Sequence, residues 1–167
     1  TIAEIAKRSI NWAMDNNIDI IVGTSGLSTG DLKGIEKKAG DCNAKVLIAP
    51  NFAIGAVIMM KVSGMIAKYF DNCEIIEKHH DKKKDAPSGT SIATAKNISK
   101  SVTFNSSRLK DGEDETIDSS RGGFTDGVHI HSMRLPGFLA HQEVIFGTLG
   151  QTLSIRHDSI NRSSFYP

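Results

Sequence analysis

The chain has 167 residues and a formal net charge of +1, long enough for one sizeable core or two small ones. Near-neutrality excludes a global attraction to nucleic acid or acidic membrane, so any electrostatic function is local. Its two cysteines, Cys42 and Cys73, fit no metal spacing and make a poor disulfide framework, which points to free thiols in a reducing compartment.

Ile2, Ile5, Ala6, Ile10, Ala13 and Met14 recur at helical spacing, which predicts an amphipathic helix over residues 1–16. The chain opens in mid-pattern on Thr1 rather than on Met, and the expectation is that Thr1 is not the first residue of the gene product. "IDIIVGT" (residues 18–24) is a β-branched run ending in glycine and reads as a buried strand. A polar helix is predicted over residues 29–39, with Ser28 or Thr29 as its N-cap, followed by a second buried strand, "KVLIAP". Strand, helix, strand at this spacing predicts a parallel βαβ unit.

Residues 54–70 read as a longer helix whose methionines, Met59, Met60 and Met65, are core filler. Its apolar run is too short and interrupted to span a bilayer, and the first residues form an amphipathic pattern rather than a secretory signal. "CEIIEKHH" (residues 73–80) predicts a strand and residues 88–100 a helix. Residues 103–123 are polar and glycine-rich and read as a long loop. "VHIHSMRL", "HQEVIFGT" and "LSIRHDS" are three further strands, the last two joined at Leu149-Gly150. The pattern thus changes near Asn51, from βα alternation to a helix pair with several strands. The expected fold is α/β: a partial Rossmann-like nucleotide-binding module over residues 1–53, to which residues 162–167 return, and an α+β module over 54–161 with an open mixed sheet.

Three stretches carry chemistry. "GTSG" (Gly23, Thr24, Ser25, Gly26) ends a strand just before a helix, where open α/β sheets bind ligands and glycine lets a backbone approach closely. By itself it is equally a glycine-rich turn, and it lacks the third glycine of a dinucleotide fingerprint. "APNF" (Ala49, Pro50, Asn51, Phe52) ends the next strand; Pro50 keeps Ala49 extended, and Asn51 can aim its amide into the same crevice. The third stretch is "EKHHDKKKDAPSGT", Glu77 to Thr90. It sets His79, His80, Lys82, Lys83 and Lys84 before a helix start at Ser88, where free N–H groups favour an anion. A lysine ion pair on a solvated surface contributes about 0–1 kcal/mol. The same charge facing a carboxylate in a partly desolvated pocket contributes about 4 kcal/mol at an effective dielectric near 20. Three lysines cannot all face one pocket, so one or two are expected inward. On a strand, His79 and His80 would point to opposite faces and so hold different jobs.

A metal reading rests on His129 and His131, two apart on a strand, but no cysteine or acidic cluster completes a ligand set. A nucleic-acid reading of "KHHDKKK" fails because Asp81 and Asp85 bracket the lysines and no aromatic residues interleave.

"EKHHDKKKDAPSGT" resembles the signature E-x-H-H-x-x-K-x-D-A-P-S-G-T of the dihydrodipicolinate reductases, also called 4-hydroxy-tetrahydrodipicolinate reductases. Glu77, His79, His80, Lys83, Asp85, Ala86, Pro87, Ser88, Gly89 and Thr90 meet every fixed position. "VGTSG", "APNF" and "RGGFTDGVHIHSMRLPG" are similar to the family in the same order. The resemblance implies a cytoplasmic, usually homotetrameric enzyme of lysine and diaminopimelate synthesis that reduces a cyclic dicarboxylate with NADH or NADPH. It implies His79 as catalytic acid and Lys83 as its partner in proton delivery and substrate holding. His80, Gly89, Thr90 and Arg162 would bind substrate. Gly23, Thr24, Ser25, Ala49, Pro50, Asn51 and Phe52 would line the nicotinamide end of the cofactor. No metal, nucleic acid or membrane enters that scheme.

The sequence departs from the family in two ways. The first strand and its G-x-x-G-x-M-G loop do not precede Thr1, so a longer enzyme is expected, with a dicarboxylate-binding or assembly domain lacking turnover as the alternative. At residues 141–143, His-Gln-Glu replaces the family's Gly-Glu-His.

Overall fold

A computed structural model describes residues 2–24, 26–49, 51–104 and 106–166. The chain divides between Phe52 and Ala53 into two compact units, each with its own apolar core.

The first unit holds helix α1 (Ala3–Asp15), strand β1 (Ile20–Val22), helix α2 (Thr29–Gly40) and strand β2 (Val46–Ile48). β1 and β2 pair in parallel, as a βαβ unit requires. Ala6, Ile10 and Met14 lie on one stripe of α1 and pack with Val22, Ile35 and Ala44. Ser28 caps α2 in a reciprocal box: its hydroxyl accepts from the Asp31 N–H at 3.1 Å, while Asp31 accepts from the Ser28 N–H at 3.0 Å. The strands are shorter than "IDIIVGT" and "KVLIAP" predict, because pairing holds only where the two runs lie side by side.

The second unit begins with α3 (Ile54–Ile66), which tightens into a 3-10 turn at Ala67–Tyr69. Strand β3 (Asn72–His79), helix α4 (Gly89–Ser99) and strands β4 (Gly123–Thr125), β5 (Val128–Arg134), β6 (Ala140–Thr148) and β7 (Gln151–Ser159) follow. The sheet order is β4-β5-β3-β6-β7, with β3 and β5 parallel and the other pairs antiparallel. This is the expected open mixed sheet, with β4 added within the predicted loop's end. β3 occupies the centre; its alternation sends Cys73, Ile75 and Glu77 to one face. That face packs with Val128 and Ile130 of β5, Val144 and Phe146 of β6, Met59 of α3 and Ala95 and Ile98 of α4. Residues 162–166, expected to return to the first module, group with the second: a 3-10 turn at Arg162–Phe165, capped by Asn161, follows β7. Among the described residues, no helix is long and apolar enough to cross a membrane.

Candidate active site

Glu77 organises the site. It is the last inward residue of β3 and fully buried, a position where an unpaired carboxylate would be strongly destabilising. Arg134, at the end of the neighbouring β5, meets it in a two-pronged pair, Nη1 to Oε2 at 2.9 Å and Nη2 to Oε1 at 2.7 Å. The Ser88 N–H donates to Oε1 at 3.2 Å, and the His79 Nδ1 meets Oε2. Burial pushes the Glu77 carboxyl up, but hydrogen bonds from His79, Arg134 and Ser132 outweigh it and hold it at about 2. Glu77 is therefore an anion at any physiological pH. The imidazole reaches the surface, with 14% of its side chain exposed, whereas the Glu77 side chain has 0%.

His80 lies outside the strand, contrary to the expectation that β3 runs through it. The last strand-like bond is Leu135 N–H to the His79 carbonyl at 3.1 Å, after which the chain turns and the Lys83 N–H donates to the His80 carbonyl at 3.1 Å. The two histidines therefore differ by element rather than by strand face. Of the three lysines, Lys82 and Lys84 are exposed and Lys83 is half-buried. Lys83 Nζ pairs with both oxygens of Asp85, at 2.7 and 2.8 Å. The Asp85 carbonyl accepts from Arg134 Nη2 at 2.6 Å, so one guanidinium holds both the strand end and the loop.

The loop leads, through a cis Ala86-Pro87 bond, into α4. Ser88 is its N-cap, and Gly89 and Thr90 form its first turn, which carries no acidic side chain. Behind this turn runs a buried chain of polar side chains. Ser88 Oγ and Ser91 Oγ are 2.8 Å apart, Ser91 Oγ donates to Gln142 Oε1 at 2.8 Å, and Gln142 Nε2 donates to Thr94 Oγ1 at 2.8 Å. Thr94 Oγ1 in turn donates to the Thr90 carbonyl at 2.8 Å. Each group has a partner and a consistent donor direction, which rigidifies the helix start. The family departure at residue 142 falls on this chain: Gln142 both accepts and donates in it. A cleft of about 430 Å³ opens beside the loop, lined by Ala86, Pro87, Gly122, Gly123, His131 and Ser132 among others.

The structure thus brings His79, Lys83, Gly89 and Thr90 to one loop-and-helix start, with His80 between them in sequence. Arg162 is exposed on the 3-10 turn after β7, and no hydrogen bond joins it to this loop among the described residues. His129 and His131, the metal candidates, are engaged elsewhere: His131 Nε2 lies 2.7 Å from Glu74 and His129 Nδ1 2.8 Å from the Arg121 carbonyl. Among the described residues no group of three or more ligating side chains clusters. Arg134, Ser91 and Thr94 escaped the sequence reading, Gln142 entered it only as a departure from the family, and Glu77 only as a signature position. Their partners lie 48 to 57 residues away, so no local pattern marks them.

In the first unit, Gly23 and Thr24 leave β1 while Ala49 leaves β2 beside them, its N–H donating to the Val22 carbonyl at 2.9 Å. A Cβ on Gly23 would come within 3.0 Å of the Phe52 ring. Gly23 therefore lets the Phe52 ring lie close against the chain leaving β1. Ser25 and Pro50 lie outside the described residues.

The family model described as "Dihydrodipicolinate reductase, C-terminus" matches residues 55–167. The chain is 47% identical over 165 residues to the 4-hydroxy-tetrahydrodipicolinate reductase of Bacillus mycoides (strain KBAB4), covering 99% of this chain and 62% of that protein. To the enzyme of that name from Geobacillus kaustophilus (strain HTA426) it is 50% identical over 165 residues, with the same coverage of 99% and 62%. A dipicolinate-bound dihydrodipicolinate reductase from Paenisporosarcina sp. TG-14 superposes with a TM-score of 0.75 at 42% identity, over 99% of this chain and 62% of that one. The chain spans about 62% of the length of the relatives it matches. On sequence and fold together, it belongs to the dihydrodipicolinate reductase family.

Proposed function

We propose that the protein is a 4-hydroxy-tetrahydrodipicolinate reductase, using NADH or NADPH to form tetrahydrodipicolinate in lysine and diaminopimelate synthesis. The observation that carries this reading is Glu77, which holds the His79 ring and the Ser88 N–H at once. A proton donor and an anion-binding helix start are thereby tied within one residue's reach. The substrate is a cyclic dicarboxylate, so its two negative groups need cations and backbone donors. Gly89 and Thr90 at the start of α4, with His80, Lys83 and Arg162, take the carboxylates. Loss of the substrate's 4-hydroxyl as water leaves a conjugated ring imine; hydride addition to it gives an enamine-like carbon that must gain a proton, and His79 delivers it, assisted by Lys83.

The cofactor supplies the hydride when bound. The residues assigned to it follow the ends of β1 and β2: Gly23 and Thr24 after β1, Ala49, Asn51 and Phe52 after β2, with Gly23 close against the Phe52 ring; Ser25 and Pro50 are assigned to it from the sequence. We also assign the enzyme to the cytoplasm, where its unpaired Cys42 and Cys73 stay reduced. Residues 54–161 assemble it as a homotetramer; α3 and α4 pack on one face of the five-stranded sheet, and the contact is assigned to the other.

The test is oxidation of NADH and of NADPH by the purified protein in the presence of the substrate, with turnover expected. A second reading, a dicarboxylate-binding or assembly domain without turnover, is favoured by one observation: every proposed substrate ligand lies in the second unit. Binding of pyridine-2,6-dicarboxylate with no oxidation of either cofactor would establish that reading and sink the first.

A further inference from the structure

We propose that Glu77 and Arg134 are positioning residues for His79. The Glu77 carboxylate takes the Nδ1–H of the imidazole and so fixes its tautomer and ring plane, leaving Nε2 to carry the exchanging proton. Arg134 holds Glu77 in place and couples it to the loop bearing Lys83. This deepens the reductase reading and rests on His79 as the proton donor.

A carboxylate is acceptor-only, and Glu77 is ionised across the range in which enzymes turn over, held at about 2. The His79 nitrogen that meets it must therefore donate. In the neutral ring this assigns the proton to Nδ1 and makes Nε2 the free base; in the charged ring Nε2–H is the transferable proton. Each Glu77 oxygen accepts from at least two groups: Arg134 Nη2 and Ser88 N–H on Oε1, Arg134 Nη1 and His79 Nδ1 on Oε2. The carboxylate thus has no freedom to rotate.

Direct chemistry by Glu77 is excluded because its side chain is 0% exposed, so no substrate atom reaches it. Folding by itself is a weak account of it, since replacing a buried ion pair by apolar residues of the same volume is often neutral or stabilising. Arg134 also leaves its Nε buried without an acceptor, so its geometry is committed to the two-pronged grip rather than to satisfying every donor. Of its two further bonds, Nη1 to the Met133 carbonyl at 2.7 Å and Nη2 to the Asp85 carbonyl at 2.6 Å, the second reaches the residue that pairs with Lys83. One guanidinium therefore sets the spacing between the two groups proposed to handle the proton.

Glu77 lies two residues before His79 on β3, Arg134 is opposite it on β5 and the uncharged Ala140 is opposite it on β6. Of these, Glu77 alone is hydrogen-bonded to the ring among the described residues. Replacing it by the isosteric amide keeps one acceptor but adds an N–H donor, so the carboxylate's acceptor-only hold on Nδ1–H and on the Arg134 fork is lost.

The experiment has two arms. Nitrogen-15 NMR of the histidine rings in the wild-type protein is expected to show neutral His79 as the Nδ1–H tautomer; the Nε2–H tautomer would overturn the proposal whatever the variants do. In turnover, Glu77→Gln is expected to lower kcat on the order of 10²-fold. It should leave KM within a few-fold, a split of kcat against KM that a merely structural role does not produce. Arg134→Lys, which keeps the charge and loses the fork, is expected to reduce kcat less. Unchanged kcat in Glu77→Gln overturns the proposal. If the wild-type protein oxidises neither cofactor, the reductase reading fails, and the tautomer still decides this one.

Discussion

The two units handle their surfaces in opposite ways. The second closes a five-stranded sheet over a core containing Ile75, Ile98, Val144 and Phe146, all at 0% exposure. It then buries a carboxylate at the edge of that core and satisfies it from four directions. The first has a two-stranded sheet whose paired Ile21 and Leu47 are 69% and 55% exposed, with Trp12 at 61%. A sheet of two strands has marginal stability by itself. A site with a rigid, desolvated carboxylate needs a scaffold that excludes water around it, and only the second unit supplies one. The first offers glycine and backbone at two strand ends, which suits a ligand that brings its own shape.

That contrast can be broken or sharpened by substitution. Phe146→Ala, deep in the second core, is expected to destabilise the protein by about 3–5 kcal/mol, read as a lowered urea midpoint. Trp12→Ala in the first unit should shift the midpoint little; an equal loss would mean that stability is shared rather than concentrated. Acid sharpens the contrast next. The folded Glu77 value of about 2 lies below its ordinary 4.5, so its contribution is whole above about pH 4.5 and is lost as pH falls toward 2. The size is roughly 3 kcal/mol. The wild-type protein should therefore lose stability across that window, and Glu77→Gln, already less stable, should lose less there. A smaller effect belongs to the first unit: Ser28→Ala removes the capping box on α2 and should cost about 1 kcal/mol, checked by the same titration.

Much of the fold was legible because its signals are local. The stripe of α1, the Ser28 cap, the βαβ spacing and the helix start at Ser88 each lie within a few residues of sequence. β4 was not legible: Gly123, Phe124 and Thr125 have no alternation and form a strand only because β5 doubles back on them after Gly127. The parallel pairing of β3 with β5 was equally hidden, and with it the meeting of Glu77 and Arg134. The site was read from a fourteen-residue signature, which supplied His79, Lys83, Gly89 and Thr90 but not what orients them. Glu77 appears in that signature as a charged residue at the end of an apolar run, where sequence alone favours a solvated position. Only the register of three strands makes it the buried residue that fixes a histidine.

The central claim is that His79 delivers a proton to a bound dicarboxylate. The most direct measurement compares wild type and His79→Gln for pyridine-2,6-dicarboxylate affinity and for substrate-dependent oxidation of NADH and NADPH. The account predicts affinity within a few-fold and a kcat lowered by about 10²–10⁴-fold. Equal turnover in the two proteins would contradict it.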